Sequence, residues 1–183
     1  MSIKSNRLIL REWNEEDFDL FYSVFTNTQV MKYAYAQAFI SKEEAHVYFN
    51  RMLDKNKALD DRKEYDYCIF LIENNQFVGS AGIEVYEKNE FGGHGEIGYF
   101  LLPGYWGCGY AKETADLLLK LGFTEIGLHR LCASCHIDNK SSESVIKKIG
   151  MKKEGQLRQV RFKSGSWHDE LRYSILAKEW IMP

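Results

Sequence analysis

The chain has 183 residues, of which 45% are hydrophobic and 27% are charged, a balance typical of one soluble globular domain. Its 24 lysines and arginines face 26 acidic residues, and the sequence pI is about 6.2. This charge balance argues against a nucleic-acid-binding protein that depends on phosphate contacts. No segment approaches the roughly 20 apolar residues of a membrane helix. We therefore expect neither nucleic acid nor membrane among the partners.

The N-terminal segment and the cysteines indicate a reducing, cytoplasmic compartment. Met1–Trp13 carries several charges and lacks the apolar stretch of a signal peptide. Free thiols are then expected at Cys68, Cys108, Cys132 and Cys135. Cys132-x-x-Cys135 has the spacing of a metal or redox pair, but residues three apart on a strand point to opposite faces. We expect structural thiols and no metal site, with only Cys108 in an exposed loop.

Residue periodicity predicts a mixed α/β order in which helices separate groups of strands. The first strand, Leu8–Arg11, precedes a helix capped by Asn14, and Ser41 with Glu44 forms a capping box before a second helix. The next elements predicted are strands Tyr65–Glu73 and Gln76–Glu87, a turn at Gly92–Gly95, and strand Glu96–Leu101. The remaining elements are helix Lys112–Phe123, strand Arg130–Ile137, helix Lys140–Ile149 and strands Lys152–Phe162 and Trp167–Ala177.

The most informative segment is Leu102–Ala111, with the sequence LPGYWGCGYA, which joins an apolar strand to an amphipathic helix. A glycine-rich turn in this position directs several backbone N–H groups and the positive end of a helix dipole at one point. Gly107 and Gly109 allow the backbone to approach an anion closely. The segment therefore predicts a phosphate-binding loop, although a single Gly-x-Gly is also found in ordinary strand–helix turns.

Five segments in order along the chain resemble the GNAT acetyltransferase superfamily, and most closely its RimJ/RimL-like branch. They are Arg7–Arg11, Glu96–Tyr99, Pro103–Ala111, Asn139–Ser142 and Lys148–Met151 with Glu154-Gly155. The resemblance implies a single acetyltransferase domain over residues 1–183. Its fold would be a central twisted, mostly antiparallel sheet with one parallel, splayed strand pair, flanked by helices.

The resemblance also implies that acetyl-CoA is the donor and that acetyl passes directly to an amine. By analogy, pyrophosphate binds the N–H groups of Tyr105, Trp106, Gly107, Cys108, Gly109, Tyr110 and Ala111. The pantetheine arm would pair with backbone near Phe100, Leu101 and Leu102, and Asn139 would cap a helix, contact the arm, or do both. Gly104 stands where the family has a polar residue, so we expect the donor to be held there by backbone alone.

The resemblance supplies several candidates for the catalytic residues. The tyrosine that many GNAT enzymes use as an acid is replaced by Ile146, whereas Ser142 matches a serine of RimL-like proteins and is the first candidate for the acid. Arg161 occupies the position of the RimL-type glutamate and cannot be a base at neutral pH. Glu96 is the alternative carboxylate, since histone-type members have a catalytic glutamate in that strand. Two histidines, His94 and His136, are secondary candidates for proton relay.

Two functions are consistent with these residues. The first is an acetyl-CoA-dependent N-acetyltransferase whose acceptor is a protein N-terminal amine or a small-molecule amine. The second is a non-catalytic acyl-CoA-binding sensor or interaction module, which the replaced tyrosine and glutamate would explain. Arg158, Arg161 and Lys163 could form a cationic lip for an acidic acceptor, although a solvated strand face is the simpler interpretation. A homodimer is a further expectation, because dimers are common in this branch.

Overall fold

Eight strands form one sheet in the order β1-β2-β3-β4-β5-β6-β8-β7. The computed structural model describes residues 2–34, 36–57 and 62–181. The strands are β1 (Ser2–Lys4), β2 (Leu8–Glu12), β3 (Glu64–Leu71), β4 (Phe77–Asn89), β5 (Gly92–Leu101), β6 (Arg130–His136), β7 (Lys152–Lys163) and β8 (Ser166–Leu176). The helices are α1 (Phe18–Phe25), α2 (Thr28–Met31), α3 (Lys42–Asn56), α4 (Tyr110–Lys120) and α5 (Lys140–Lys148).

The helices cover the two faces of the sheet in different places. On one face, α4 and α5 pack over a continuous core that includes the fully buried Leu118 and Leu131 and the nearly buried Tyr173. On the other face, α1 packs over β4 and α3 over β3 through an aromatic cluster around Phe21 and Phe49. Each helix is amphipathic, so the sheet becomes the middle layer of three. Within the described residues, no helix is long and apolar enough to cross a bilayer.

The predicted parallel strand pair is present and opens partway along its length. Strands β5 and β6 pair in parallel only at His94–Arg130, Gly95–Leu131 and Glu96–Cys132. Beyond Glu96, β5 continues to Leu101 and β6 continues to His136, but the two strands no longer pair with each other. The other neighbouring strands are antiparallel. A gap between two diverging strands, which we call the splay, therefore opens at the centre of the sheet.

The helix caps predicted from the sequence are confirmed. The Asn14 side chain accepts from the Glu16 amide at 2.9 Å, ahead of α1. The Ser41 hydroxyl accepts from the Glu44 amide at 3.1 Å at the start of α3. The Asn139 side chain accepts from the Ser142 amide, also at 3.1 Å, at the start of α5. These bonds join residues two or three apart, so local sequence is enough to identify them.

The structure corrects three of the predicted elements. Strand β1 precedes the predicted first strand and is too short to show alternation, but it pairs with β2. The predicted turn at Gly92–Gly95 is instead the start of β5, where a Cβ on Gly93 would lie 2.2 Å from the Glu87 carbonyl. The glycines there reflect close strand packing. Helix α4 begins at Tyr110, directly after the left-handed Gly109, and is followed by a π-helical turn, Leu121–Glu125.

Candidate active site

The segment Leu102–Ala111, which we call the donor loop, has the geometry of an anion-binding turn. It leaves β5, passes through a short 3-10 turn at Pro103–Tyr105 and enters α4. Gly107 and Gly109 have φ angles of 77° and 83°, which residues with a Cβ rarely adopt. A Cβ on Gly107 would meet no protein atom within 4 Å, so the loop is open there. The first amides of α4 and the dipole of that helix can therefore meet an anion at this opening.

The aromatic residues of the donor loop are arranged around its backbone. Trp106 donates from Nε1 to the Leu101 carbonyl at 2.7 Å, although half of its surface remains exposed. Tyr105 and Tyr110 have ring centroids 6.3 Å apart and pack against the core under α4. A Cβ on Gly104 would also be unobstructed, so the family's polar side chain is missing there without steric cause. The loop presents backbone groups flanked by aromatic rings.

The backbone of β5 shows which groups face the splay. The Leu102 amide donates to the Val78 carbonyl of β4 at 2.9 Å. Because backbone groups of an antiparallel strand alternate in direction, Phe100 and Leu102 turn toward β4 and Tyr99 and Leu101 toward β6. The sequence-based assignment of Phe100, Leu101 and Leu102 as a contiguous pantetheine contact is therefore wrong for the first and last residues. Tyr99 and Leu101 have the required direction, and the Leu101 carbonyl already accepts from Trp106.

Ser142 lies on the helix-covered side of the splay, together with a tyrosine that the sequence analysis did not select. The Tyr99 hydroxyl and Ser142 Oγ are 3.5 Å apart, joining β5 to the first turn of α5. Burial raises the pKa of Tyr99, so its hydroxyl stays protonated near neutral pH. Ile146, at the position of the missing family acid, is buried in the core. The alternation of Ile97, Tyr99 and Leu101 on one face was the signal that could have identified Tyr99.

Glu96 lies on the opposite face of β5 from Tyr99 and Ser142. Its Oε2 accepts from Arg172 Nη1 at 3.2 Å and from the Tyr86 hydroxyl. Its side chain is only 17% exposed. Phe100, which shares its face, contacts Phe25 of α1 with ring centroids 5.3 Å apart. The two predicted catalytic residues are thus not brought together, and they lie on the two sides of the sheet.

A buried carboxylate stands beside Arg161. Glu170 on β8 is fully buried, and its Oε2 accepts from Arg161 Nε at 2.9 Å. Its other oxygen contacts Arg172, which also binds Glu96. The carboxylate that the resemblance placed on β7 is therefore absent, but an ion-paired one is present on the adjacent strand.

Neither the cationic lip nor the solvated strand face that the sequence analysis preferred is fully formed, because Arg161 and Lys163 bind protein groups. Arg161 binds Glu170. Lys163 donates to the carbonyls of Met31, Ala34 and Ala36 at 2.7, 2.5 and 3.0 Å. Arg158 is exposed on β7. The strand end is therefore tied to the segment after α2 and does not present a cationic surface.

The histidine candidates lie in different places. His136, at the end of β6, accepts at Nδ1 from the Asp138 amide at 3.1 Å. Its ring centroid is 4.8 Å from that of His168 and 5.2 Å from that of Tyr33. Burial, helped by His168, lowers the pKa of His136. His94 lies at the start of β5, opposite Arg130, before the strands diverge.

The cysteines do not gather into one site. Cys108 is exposed in the donor loop, and the other three thiols are buried. Cys132 donates to the Gly95 carbonyl at 3.1 Å, whereas Cys135 packs in the core beneath α4 and α5. Burial raises the pKa of both thiols to about 11. In the part of the chain that the structure describes, no three His, Cys, Asp or Glu side chains group as metal ligands.

The sequence and fold of this chain are similar to those of known acetyltransferases. Residues 7–152 match the family model of the acetyltransferase (GNAT) domain. YnaD, an uncharacterized N-acetyltransferase of Bacillus subtilis, is 35% identical over 181 residues, covering 98% of this chain and 99% of YnaD. The crystal structure of a GNAT-family acetyltransferase from Bacillus anthracis has 31% identity and a TM-score of 0.81, with coverage of 98% of this chain and 100% of that one.

Two solved complexes with CoA have the same fold at 20% sequence identity. Spermidine N-acetyltransferase from Vibrio cholerae, bound to CoA and spermine, aligns with a TM-score of 0.82 over 96% of this chain and 98% of its own. RimL, the ribosomal L7/L12 alpha-N-protein acetyltransferase, aligns in its CoA complex with a TM-score of 0.84 over the same shares. This chain therefore belongs to the GNAT acetyltransferase family, in its RimJ/RimL-like branch, and is an acetyl-CoA-dependent N-acetyltransferase.

Proposed function

We propose that the chain transfers acetyl from acetyl-CoA directly to a primary amine, either a protein N-terminal amine or a small-molecule amine. The observation that carries this proposal is the continuity of the donor loop with the splay. Strand β5 forms one side of the splay over its last residues, where it diverges from β6, and then leads directly into the donor loop. A donor whose pyrophosphate binds the loop can extend its arm along the strand toward the splay.

The donor and the acceptor approach from opposite faces of the sheet. Helices α4 and α5 occupy the face that carries Tyr99 and Ser142. The other face near the splay carries Glu96, Phe100, His136 and Glu170. A Cβ on Gly98, between Glu96 and Phe100, would meet nothing within 4 Å, so this face has open space at the splay. We place the acceptor amine there.

The reaction needs a neutral amine, a stabilised oxyanion and a protonated leaving group. The neutral amine nitrogen forms a bond to the acetyl carbon, and the carbon–sulfur bond breaks. The nitrogen loses its second proton to solvent, and the departing thiolate takes a proton from an acid that solvent then restores. We assign that proton to Ser142 with Tyr99, and oxyanion stabilisation to a backbone N–H of β5 that faces the splay. Glu96, through an ordered water, accepts the proton that the ammonium loses. Asn139 orients Ser142 by capping α5.

The proposed donor contacts are backbone amides of the loop from Gly107 to Ala111, because the Tyr105 and Trp106 amides already donate to the Leu102 and Pro103 carbonyls at 3.0 and 3.2 Å. Gly107 and Gly109 give the loop its shape, and Tyr110 and Ala111 open α4. Trp106 and Cys108 flank the pyrophosphate position, with Cys108 exposed. Leu101, which faces the splay, supports the arm from the strand end. No metal is assigned a role in this scheme.

The setting of the enzyme is part of the same proposal. Residues 1–183 act as one acetyltransferase domain, since one sheet runs through strands from Ser2 to Leu176. Four free thiols fit the reducing cytoplasm. A homodimer is the assembly that we expect, and sedimentation equilibrium tests it.

The test of the function is CoA release from acetyl-CoA with a panel of acceptors. The panel includes spermidine, because one structural relative is a spermidine acetyltransferase, and peptides with free N-terminal amines, because another acts on a ribosomal protein. We expect at least one acceptor to raise CoA release well above hydrolysis. Tight acetyl-CoA binding without any acceptor-dependent release would instead favour the sensor or interaction module.

A further inference from the structure

Arg7 lies in the turn between β1 and β2, yet its side chain is bonded to the donor loop about a hundred positions later. Its Nη1 donates to the Cys108 carbonyl at 3.1 Å. Its Nε donates to Glu113 Oε2 at 2.7 Å, and its backbone amide donates to Glu113 Oε1 at 3.0 Å. Its guanidinium carbon lies 4.6 Å from the centroid of the Tyr110 ring. The Arg7 side chain therefore contacts the peptide group between Cys108 and Gly109, the ring of Tyr110 at the start of α4, and Glu113 in the first turn of that helix.

From these contacts we infer that Arg7 is a positioning residue for the donor, holding the donor loop in the shape that binds pyrophosphate. The inference rests on the proposed donor site. Arg7 holds the loop on both sides of Gly109, and a Cβ on Gly109 would lie 3.4 Å from its Nη2. Because the peptide group is planar and trans, fixing the Cys108 carbonyl toward Arg7 points the Gly109 amide the opposite way. That amide is one of the proposed donor contacts.

Arg7 also neutralises the carboxylate nearest the proposed anion site. Glu113 lies in the first turn of α4 and is only 17% exposed. An unpaired carboxylate there would repel a pyrophosphate bound at the same helix end. Although burial acts to raise the pKa of Glu113, hydrogen bonds from Ser5 and Arg7 hold it below its usual value. The carboxylate thus stays charged but paired.

The chain supplies a matched control in Arg11. Arg11 lies four positions later, donates to both oxygens of Asp17 at 2.6 and 2.8 Å, and stacks 4.7 Å from the Phe70 ring centroid. It is therefore another arginine with a bidentate carboxylate and an aromatic partner, but it contacts α1's cap and not the donor loop. A purely structural role of Arg7 would make the two arginines equivalent.

The experiment compares Arg7→Gln, Arg7→Lys and Arg11→Gln, with folding checked by circular dichroism and thermal melting. For Arg7→Gln we expect the acetyl-CoA KM and the calorimetric Kd to rise about tenfold with kcat within twofold. Arg7→Lys, which keeps a positive charge beside Glu113, should give a smaller rise in the acetyl-CoA KM and Kd. If Arg7→Gln does not fold, this rise in Arg7→Lys tests the inference in its place. Arg11→Gln should leave both donor constants unchanged even where it lowers the melting temperature.

A truncated donor separates positioning from general damage. Acetyl-pantetheine carries the thioester but no pyrophosphate, so its kcat/KM should be the same in Arg7→Gln and the unmodified chain. Equal losses with both donors, or an unchanged acetyl-CoA Kd, would overturn the inference alone. Failure of the unmodified chain to bind acetyl-CoA in calorimetry would overturn the proposed function and the inference with it.

Discussion

At the scale of single residues, the site separates its two chemical tasks by the alternation of one strand. Tyr99 points toward Ser142 under α5, while Glu96 points to the opposite face and binds Arg172. An odd number of positions separates them along β5, so they cannot share a face. A group that protonates the leaving thiolate and a carboxylate that serves the amine can therefore act on one thioester from two sides.

Removing the hydroxyl of Ser142 or Tyr99 should slow turnover without weakening acetyl-CoA binding. We expect Ser142→Ala and Tyr99→Phe each to lower kcat about 10- to 100-fold, the range of one general acid, with the acetyl-CoA KM within twofold. The double variant should lose less than the product, because the hydroxyls share one interaction. Steady-state kinetics checks this, with the exposed Ser141→Ala as control. An unchanged kcat would remove both hydroxyls from the mechanism.

Replacing Glu96 should give a defect that depends on pH. An acceptor ammonium with a pKa near 10 needs help to lose its proton at pH 7, but at pH 9 to 10 much of it is already neutral. We therefore expect Glu96→Gln to lower kcat/KM for the acceptor at pH 7 by about tenfold and to approach the unmodified enzyme at high pH. Glu84→Gln, opposite Glu96 on β4 and exposed, is the control. A loss that is constant with pH would contradict a proton-accepting role.

At the scale of elements, the β7–β8 hairpin holds the segment after α2 against the acceptor face. Lys163 donates to two carbonyls of that segment and to the carbonyl of Met31, the last residue of α2, and Tyr33 packs against His136. Burial lowers the pKa of Lys163, although the carbonyls surround its ammonium. The last turn of a short helix gains partners for its unpaired carbonyls in this way.

Loss of the Lys163 hydrogen bonds should weaken acceptor binding and leave donor binding unchanged. We expect Lys163→Met to raise the acceptor KM about five- to tenfold while leaving the acetyl-CoA KM within twofold, because the loosened segment borders only the acceptor face. Lys152→Met, at the other end of β7 where the lysine binds Glu179, is the matched control. A rise in the acetyl-CoA KM, or equal effects of the two variants, would contradict this assignment.

At the scale of the whole molecule, the half-buried Asp66 makes stability depend on pH. Burial raises the pKa of Asp66 on β3 from 3.8 to about 7, and the nearby Glu64 adds to the shift. The folded state therefore binds a proton more tightly than the unfolded state, so stability falls as pH rises between about 4 and 7. Above that window the folded protein carries a charge that is poorly solvated.

Asp66→Asn should remove that dependence. We expect the free energy of unfolding to rise by about 1–2 kcal/mol at pH 8 and to change little near pH 3, where most of the acid is protonated in both states. Urea unfolding at the two pH values measures this, with the exposed Asp54→Asn as control. Equal effects at both pH values would show that Asp66 acts through packing and not through its charge.

Prediction from sequence succeeded where the contributing residues are neighbours in the chain. The caps at Ser41 and Asn139, the final hairpin and the left-handed glycines of the donor loop depend on a few consecutive residues. The strand pattern misled at Gly92–Gly95, because glycines needed for close strand packing resemble turn glycines. Arg158, Arg161 and Lys163 looked alike in sequence, and only their partners distinguish them.

By itself, the sequence determined the order of the main elements, the donor loop between strand and helix, and the ordered segments that resemble one family. Such features follow from local periodicity, caps and glycine conformation, which act over a few residues. Only the tertiary structure decided that Arg7 holds the loop, that Tyr99 faces Ser142 and that Glu170 stands beside Arg161. The reason is physical: strand order and register bring distant residues together, and a one-residue shift would reverse every face.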